Sequence, residues 1–287
     1  MSASSLITQM INGVNQASVL LIAALGLIII FGLMGVINMA HGELIMIGGF
    51  CAYIFSNVLH FPFAVAVVFS FLVTAVVGVL IEVLVIKRLY AKPTETILAT
   101  YGISMIISEI ARLKWPLAQN VNMPIPGTAK VAGISIPFYN MFVLLFAFAV
   151  LSFTIFLFKK TKFGKKVNAI TQNRQMVECL GINTAKYDTL TFAYGAGLAG
   201  IAGCILAPTV GVSYQMGAAY LTNSFLTVVL GGVESMVGLA ASSAIFGEGK
   251  TVLAGFSNDC MAKIMMCLVV VAIIRFKPEG LFHKERR

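Results

Sequence analysis

Long runs of apolar residues recur along almost the whole chain, and they constrain its fold more than any other feature. A helix needs about 20 apolar residues to cross the hydrocarbon core of a membrane. Eight segments approach or exceed this length: 17–37, 44–59, 62–86, 95–111, 138–158, 189–210, 219–247 and 252–274. Their mixed aliphatic, Phe and Gly content lacks the alternation of apolar and polar residues that marks a membrane β-barrel. The runs therefore predict membrane-spanning helices.

The scarcity of charge supports the same interpretation. Only 11% of the residues are charged and 59% are hydrophobic, whereas soluble domains carry about 25% charged residues. We therefore predict an all-α, polytopic membrane helix bundle that forms one domain over 1–287. The net charge of +9 is assigned to Lys and Arg of cytoplasmic loops and not to nucleic-acid binding. The scattered cysteines are interpreted as small buried hydrophobes, and no cofactor or metal is predicted.

Positive charge predicts which loops face the cytoplasm. The segment 159–188 is rich in Lys and Arg, and so are 87–92 and 275–287; all three are expected inside. Three apolar segments precede Lys87, which places the N-terminus outside and the C-terminus in the cytoplasm. Lys87 is also the first Lys of the chain, so the opening residues do not resemble a cleaved secretory signal.

The number of crossings between residues 210 and 275 must be odd. The chain emerges near Val210 and returns by 275, yet two obvious apolar segments remain. Part of 219–250 is therefore predicted either to enter and leave on one side or to divide into two short crossings. Irregular backbone at membrane depth is tolerated only against protein or a water-filled path. We therefore expect 211–250 to line a transport pathway.

The stretch AIFGEGKT (244–251) resembles a loop that binds nucleotide phosphates. Such a loop follows a strand and opens a helix in an α/β domain. Here it follows a glycine-rich membrane segment, and the first glycine of the pattern is missing. The sequence predicts a short polar turn between two membrane segments, with Lys250 at an interface and no ATP binding.

The long cytoplasmic segment 159–188 is predicted to contain two short helical runs and a turn at Gly181, since Gly suits the left-handed position that ends a helix. Its apolar positions recur at roughly helical spacing: Val167, Ile170, Met176 and Leu180. An amphipathic helix of this kind lies on a lipid surface or inserts into the groove of a partner. The spacing alone leaves both open.

Two groups of polar residues are candidates for contact with a solute. The first is a polar break between apolar segments: Asn38, His41, Gly42 and Glu43. Ionisable groups cost about 2.5–3.5 kcal/mol at the membrane centre and usually face a pathway or a partner. The second group is Thr96, Thr100, Tyr101 and Ser104. Their hydroxyls can donate and accept hydrogen bonds to a solute, although hydrogen bonding between helices explains them equally well.

Several motifs resemble a known family. The stretches FGLMGVINMAHGELIMIGGF (31–50) and FGKKVNAITQNRQMVECLGINTAKYDTLTFAYGAGLAGIAG (163–203) resemble permease subunits of branched-chain amino acid ABC importers. ETILATYGISMI (95–106), ITQNRQMVECLGI (170–182) and KPEGLF (277–282) look like the urea branch of that family. The likeness runs through nearly the whole chain, and its motifs keep their order.

The resemblance implies a multi-pass permease of the bacterial cytoplasmic (inner) membrane, with urea as the solute. A branched-chain amino acid or a short amide is the alternative. It also implies a solute-binding protein, two separate ATPase subunits and a second permease subunit, expected to be a paralogue. The coupling helix would be 164–184, with its recognisable positions at Ala169, Gly181 and Ile182. Asn173 and Arg174 are predicted to contact the ATPases.

Two features depart from the family pattern. The family commonly has Trp where Tyr101 stands, and GEGKTVLAGFSND is unexpected before the last helix. A neutral solute is favoured because no buried cluster of Arg and Asp is evident, whereas a zwitterion would want charged partners or helix ends in the pathway. No arrangement of residues suggests catalysis, so an enzyme is not expected.

Three other classes of protein compete with the importer. A passive urea or water channel would need no docking segment at 159–188. An ion-coupled transporter would be expected to show an inverted repeat and an acidic site at mid-membrane. A structural membrane subunit would leave 38–43 and 96–104 facing lipid or packed protein.

Overall fold

The structure is a computed structural model that describes residues 3–90, 92–131, 134–233, 235–277 and 280–282. Within these residues there are eleven α-helices: α1 (Ala3–Ile28), α2 (His41–Tyr53), α3 (Phe63–Leu84), α4 (Pro93–Lys114), α5 (Phe138–Lys160), α6 (Lys162–Gln172), α7 (Arg174–Cys179), α8 (Thr184–Val210), α9 (Met216–Gly231), α10 (Met236–Phe256) and α11 (Asp259–Phe276). Turns of π-helix, Ile29–Leu33 and Ile54–Val58, extend α1 and α2. The end of the predicted cytoplasmic tail, 283–287, lies outside the described residues.

The predicted all-α membrane bundle is confirmed. Among the described residues, five helical stretches are long and apolar enough to cross a membrane: Thr8–Leu33, Phe63–Arg88, Pro93–Lys114, Phe138–Lys160 and Thr184–Val210. A small antiparallel hairpin, β1 (Thr128–Val131) and β2 (Ile134–Pro137), interrupts the connection between α4 and α5. The first helix begins well before the predicted 17–37, because its polar opening residues carry no charge or Pro that would end it.

Two helices form the centre of the bundle. Every residue from Ala17 to Ile30 in α1 is buried, as expected for a helix that is hydrophobic on all sides. The second is α8, which packs against α1, α2 and α3. In contrast, α3 and α5 bury one stripe each, with members mostly three or four residues apart. Their remaining apolar faces are exposed, as suits helices that face lipid or a partner subunit.

Glycines allow α2 and α8 to approach at backbone distance. A methyl group at Gly48 would lie 2.1 Å from the carbonyl oxygen of Gly200, and one at Gly203 would lie 1.8 Å from that of Ile45. Small residues at membrane helix interfaces permit such close packing. This crossing fixes α2 against the central helix.

The bundle has one end at which the predicted cytoplasmic segments gather, which we name the basic end. There Thr171 of α6 donates to the carbonyl oxygen of Leu33 at 2.8 Å, and Thr189 of α8 donates to Glu82 of α3 at 2.7 Å. At the opposite end, which we name the far end, Gln119 and Val212 exchange two backbone hydrogen bonds of 2.8 Å. The three basic segments therefore share one end, as charge predicts.

The region 219–250 divides into two helices, and the number of membrane crossings that it makes stays a prediction. The chain ends α9 at Gly231, turns through Gly232 with φ +92°, and starts α10 at Met236. Gly280 packs so tightly on this turn that a methyl group there would lie 2.6 Å from the nitrogen of Gly232. The turn therefore lies at the basic end, beside the C-terminal segment.

The predicted polar turn at AIFGEGKT is wrong, because this stretch is part of the continuous helix α10. Its glycines serve packing: a methyl group at Gly247 would lie 2.7 Å from Ala17 of α1. The Lys250 ammonium lies 3.0 Å from Asp259 at the start of α11, so its charge is paired. Helical hydrogen bonding occupies the backbone N–H groups that a phosphate loop would offer.

Candidate functional site

The N-termini of α2 and α9 meet well inside the bundle. The Nε2 atom of His41, the first residue of α2, lies 3.1 Å from the carbonyl oxygen of Ala23. Ala23 precedes Leu33, at the basic end, by about ten residues, so α2 begins about 15 Å inside the bundle. A methyl group at Gly42 would lie 2.3 Å from the carbonyl oxygen of Gly217. The first turn of α9 therefore lies at the same depth.

From this meeting point the two helices run in opposite directions. At the far end, Asn57, which follows α2, donates to the carbonyl oxygen of Asn120 at 2.9 Å. At the basic end, the carbonyl oxygen of Leu230 in α9 accepts a hydrogen bond of 3.0 Å from the N–H of Leu281. The N-terminus of a helix carries roughly half a positive charge. Two such ends therefore meet at mid-depth, an arrangement with which broken transporter helices hold anionic groups of a solute.

One face of α4 carries a row of hydroxyl groups that we name the hydroxyl seam. Its members lie four residues apart on one helix face: Thr96, Thr100, Ser104 and Ser108. Thr96, Thr100 and Ala111 are the buried residues of this helix, and large apolar side chains such as Leu98 face outward. The helix therefore contacts the bundle in large part through polar groups.

Two members of the seam hold the segment that leads into α2. The Thr100 hydroxyl accepts a hydrogen bond of 3.1 Å from the backbone N–H of Met39. The Ser104 hydroxyl donates to Oε1 of Glu43 at 3.1 Å. Because Ser104 lies near the middle of α4, Glu43 lies about halfway through the bundle.

Glu43 is 3% exposed, and half of its hydrogen-bonding capacity is unused. Its Oε2 atom has no hydrogen-bond partner among the described residues, and neither does Nδ2 of Asn38 or Nδ1 of His41. Buried polar atoms are almost always paired, so these unpaired atoms mark the start of α2 as an unusual polar region. No three His, Cys, Asp or Glu side chains of the described residues are placed to hold a metal ion.

The structure brings four of the predicted pathway residues to one level of the bundle: Asn38, Glu43, Thr100 and Ser104. His41 faces α1 instead, through its contact with Ala23. Thr96 lies one turn nearer the basic end and donates to the carbonyl oxygens of Leu89 and Lys92. Tyr101 is 51% exposed and points away from this group.

The sequence prediction missed Ser108 and Tyr214. The Ser108 hydroxyl donates to the carbonyl oxygen of Tyr214 at 3.3 Å, in the irregular stretch between α8 and α9. The seam thus contacts both chain breaks, the one before α2 and the one before α9. Extending the four-residue spacing of Thr96, Thr100 and Ser104 by one step would have found Ser108.

The segment 159–188 forms two short helices, as its periodicity predicts. Asn173 separates α6 from α7, and its Oδ1 atom accepts a hydrogen bond of 3.0 Å from the N–H of Met176. Gly181 has φ +77° and ends α7 in the left-handed conformation that Gly favours. Ala169 and Ile182 are half-buried.

The apolar residues of this segment divide between two faces. Val167 and Ile170 of α6 are buried against the bundle, whereas Met176 is 65% and Leu180 is 73% exposed. Arg174, at the start of α7, forms a 2.6 Å ion pair with Asp188 of α8. The segment is therefore anchored through α6 and presents apolar side chains through α7 and the turn after it.

Comparison with known proteins supports a transport role for this arrangement. The family model described as "Branched-chain amino acid transport system / permease component" matches residues 9–274. The chain belongs to this permease family. It is 24% identical to the high-affinity branched-chain amino acid transport system permease protein BraD of Pseudomonas aeruginosa, over 96% of this chain and 95% of that protein. LivH of Escherichia coli K12 is 24% identical over the same shares.

One sugar permease is also similar to this chain. The ribose import permease protein RbsC of Haemophilus influenzae is 24% identical over 84% of this chain and 76% of that protein. No solved structure matches. Membership makes the chain a transport subunit of the bacterial inner membrane that works with separate ATPase subunits and a periplasmic binding protein. The names of these relatives do not support the urea assignment that the motifs had favoured.

Proposed function

We propose that this chain is a permease subunit of an ATP-driven importer and that its solute is a branched-chain amino acid. The meeting of two helix N-termini beside the Glu43 carboxylate carries the proposal. A zwitterion needs a positive partner for its carboxylate and an acceptor for its ammonium group. The amino ends of α2 and α9 supply the first, and Oε2 of Glu43 supplies the second.

The importer would alternate between outward and inward access at this level. Gly42 and Gly217 are packed at backbone distance, so a solute passes only if α2 and α9 separate. Such a change requires a partner that binds the two states with different affinity. We assign this role to the two ATPases, acting on the segment 164–184, together with a second permease subunit that is a paralogue.

Urea is the second candidate solute. The motifs at 95–106, 170–182 and 277–282 resemble the urea branch of the family. Thr100 and Ser104 offer hydroxyl groups that can donate to the carbonyl oxygen of urea and accept from its two NH₂ groups. Against this, urea carries no charged groups, so it would gain less than a zwitterion from a helix N-terminus and a free carboxylate oxygen.

The decisive experiment reconstitutes this subunit with its candidate partner permease, ATPases and binding protein. ATP hydrolysis is measured with leucine or urea loaded on the binding protein. We expect stimulation by leucine. Stimulation by urea alone would keep the importer and overturn the amino acid. Passage of solute in liposomes without ATPases would overturn the importer itself.

We expect Glu43→Gln to lower leucine transport by about 10-fold or more, because a hydrogen bond to a charged group contributes about 1.5–3 kcal/mol. Ser104→Ala is the matched control. It keeps the charge and the Oε2 atom and removes only the hydrogen bond at Oε1, which the solute does not use in this proposal, so we expect less than about a 3-fold change. Leucine uptake into proteoliposomes measures both, and equal rates for Glu43→Gln and the unaltered subunit would contradict an ammonium contact.

A further inference from the structure

We propose that Arg174 couples the cytoplasmic segment to the start of α4, and that this positioning role explains it better than contact with the ATPases. The proposal rests on the proposed function, since it concerns how a movement of α7 reaches the hydroxyl seam. It assigns the same positioning role to Tyr90 and Glu82.

The guanidinium group of Arg174 is occupied by contacts within the chain. Its Nη2 atom lies 2.6 Å from Oδ2 of Asp188 and 3.3 Å from the hydroxyl of Thr184. Its Nε atom donates to Oε1 of Glu178 at 3.3 Å. The Thr184 hydroxyl in turn donates to Oε1 of Glu178 at 2.7 Å. The planar fork of Arg suits several acceptors at once, and it ties α7 to the first turns of α8.

The same guanidinium group also contacts the turn before α4. Its central carbon lies 5.3 Å from the centre of the Tyr90 ring, within the range of a cation–π contact. The Tyr90 hydroxyl donates to Oε1 of Glu82 at 3.0 Å. Oε2 of the same carboxylate accepts from Thr189 of α8 at 2.7 Å. Arg174 and Glu82 therefore join α3, α7, α8 and the turn at Tyr90 in one polar group.

This turn is fastened to α4. The Thr96 hydroxyl donates to the carbonyl oxygen of Leu89 at 3.0 Å, and the N–H of Lys92 donates to the same oxygen at 2.9 Å. One turn beyond Thr96 on α4, Thr100 contacts Met39. One turn further, Ser104 contacts Glu43. An unbroken series of contacts thus leads from α7 to the mid-depth site.

The burial of two carboxylates explains why this network of contacts forms around Arg174 and Tyr90. Glu82 is fully buried and the Asp188 side chain is 8% exposed, whereas the Arg174 side chain is 42% exposed. A buried carboxylate needs its partners, so Asp188 and Glu82 hold Arg174 and Tyr90 where they are. Transmission through this network would appear as an energetic coupling between its residues.

The test uses Arg174→Lys, which keeps the charge and loses the planar fork, and Tyr90→Phe, which keeps the ring and loses the hydrogen bond to Glu82. In the reconstituted importer we expect ATP hydrolysis to stay within about 2-fold while leucine transported per ATP falls at least 5-fold. The double variant should be no worse than the poorer single variant, because both act through one network. Arg112→Lys is the control, since Arg112 pairs with Glu109 at the far end of α4.

A second readout uses the permease alone and needs no transport. We expect Arg174→Lys to speed hydrogen exchange at least 10-fold over 93–100 as well as over 174–180, and Arg112→Lys to leave both stretches unchanged. Faster exchange confined to 174–180 would overturn the proposal, as would a loss of ATPase binding with the transport ratio preserved. If leucine did not stimulate ATP hydrolysis in the unaltered importer, the proposed function would be wrong. The hydrogen-exchange result would then still test whether Arg174 couples α7 to α4.

Discussion

Gly203→Leu should prevent the chain from folding, and Gly203→Ala should lower its thermal midpoint by about 5–10 °C. Even the single methyl group of Ala would lie 1.8 Å from the carbonyl oxygen of Ile45. Because the obstacle is backbone and not the end of a flexible side chain, α2 and α8 must move apart. The separation would also break the close approach of Gly48 to Gly200 on the same crossing.

Gly102→Leu is the matched control for this prediction. Gly102 lies on α4, and a methyl group there would meet no other atom within 4 Å. Size-exclusion chromatography in detergent, followed by thermal unfolding, measures both variants. If Gly203→Leu were recovered as a single stable species with an unchanged midpoint, the crossing of α2 and α8 would be wrong.

Replacing both Met176 and Leu180 by Asp should weaken binding of the ATPase subunits by at least about 100-fold. Each apolar side chain contributes about 1.5–3 kcal/mol when it is fully buried, and both are more than half exposed in the free chain. A partner groove that accepts an amphipathic helix would bury them. Co-purification and titration of the ATPases in detergent measure the loss.

Leu117→Asp provides the control, because Leu117 is 75% exposed in the connection after α4, at the far end. We expect it to bind the ATPases normally. Unchanged binding by the double variant, together with weaker adsorption of the segment to anionic vesicles, would show that this face lies on lipid. That outcome would favour the lipid-surface alternative that the helical spacing leaves open.

Local features of the sequence predict much of this fold. Apolar run length locates the helices, Gly181 marks the end of α7, and the crossing number indicates that the region around Gly232 is broken. These signals suffice because each depends on neighbours within a few helical turns. The same holds for the polar residues at 38–43 and 96–104, which local spacing marks as unusual.

Contacts between distant parts of the chain explain what the sequence did not predict. Ser104 and Glu43 are far apart in the chain, as are Thr189 and Glu82, and no periodicity relates them. The stretch 244–251 likewise packs through Gly247 on Ala17 of α1, a contact between distant parts of the chain. Packing partners of this kind become visible only when the helices are assembled.

The hydroxyl seam has a consequence for how much work a movement of α4 requires. Interdigitated apolar side chains resist the sliding of one helix past another. A hydroxyl group that loses one hydrogen-bond acceptor can instead donate to another oxygen or to a water molecule. Hydrogen bonds between membrane helices contribute about 0.6 kcal/mol each, so those made by the seam represent only a few kcal/mol. Weak, exchangeable hydrogen bonds of this kind would let α4 change its contacts at a lower energetic cost than the closely packed α1 and α8.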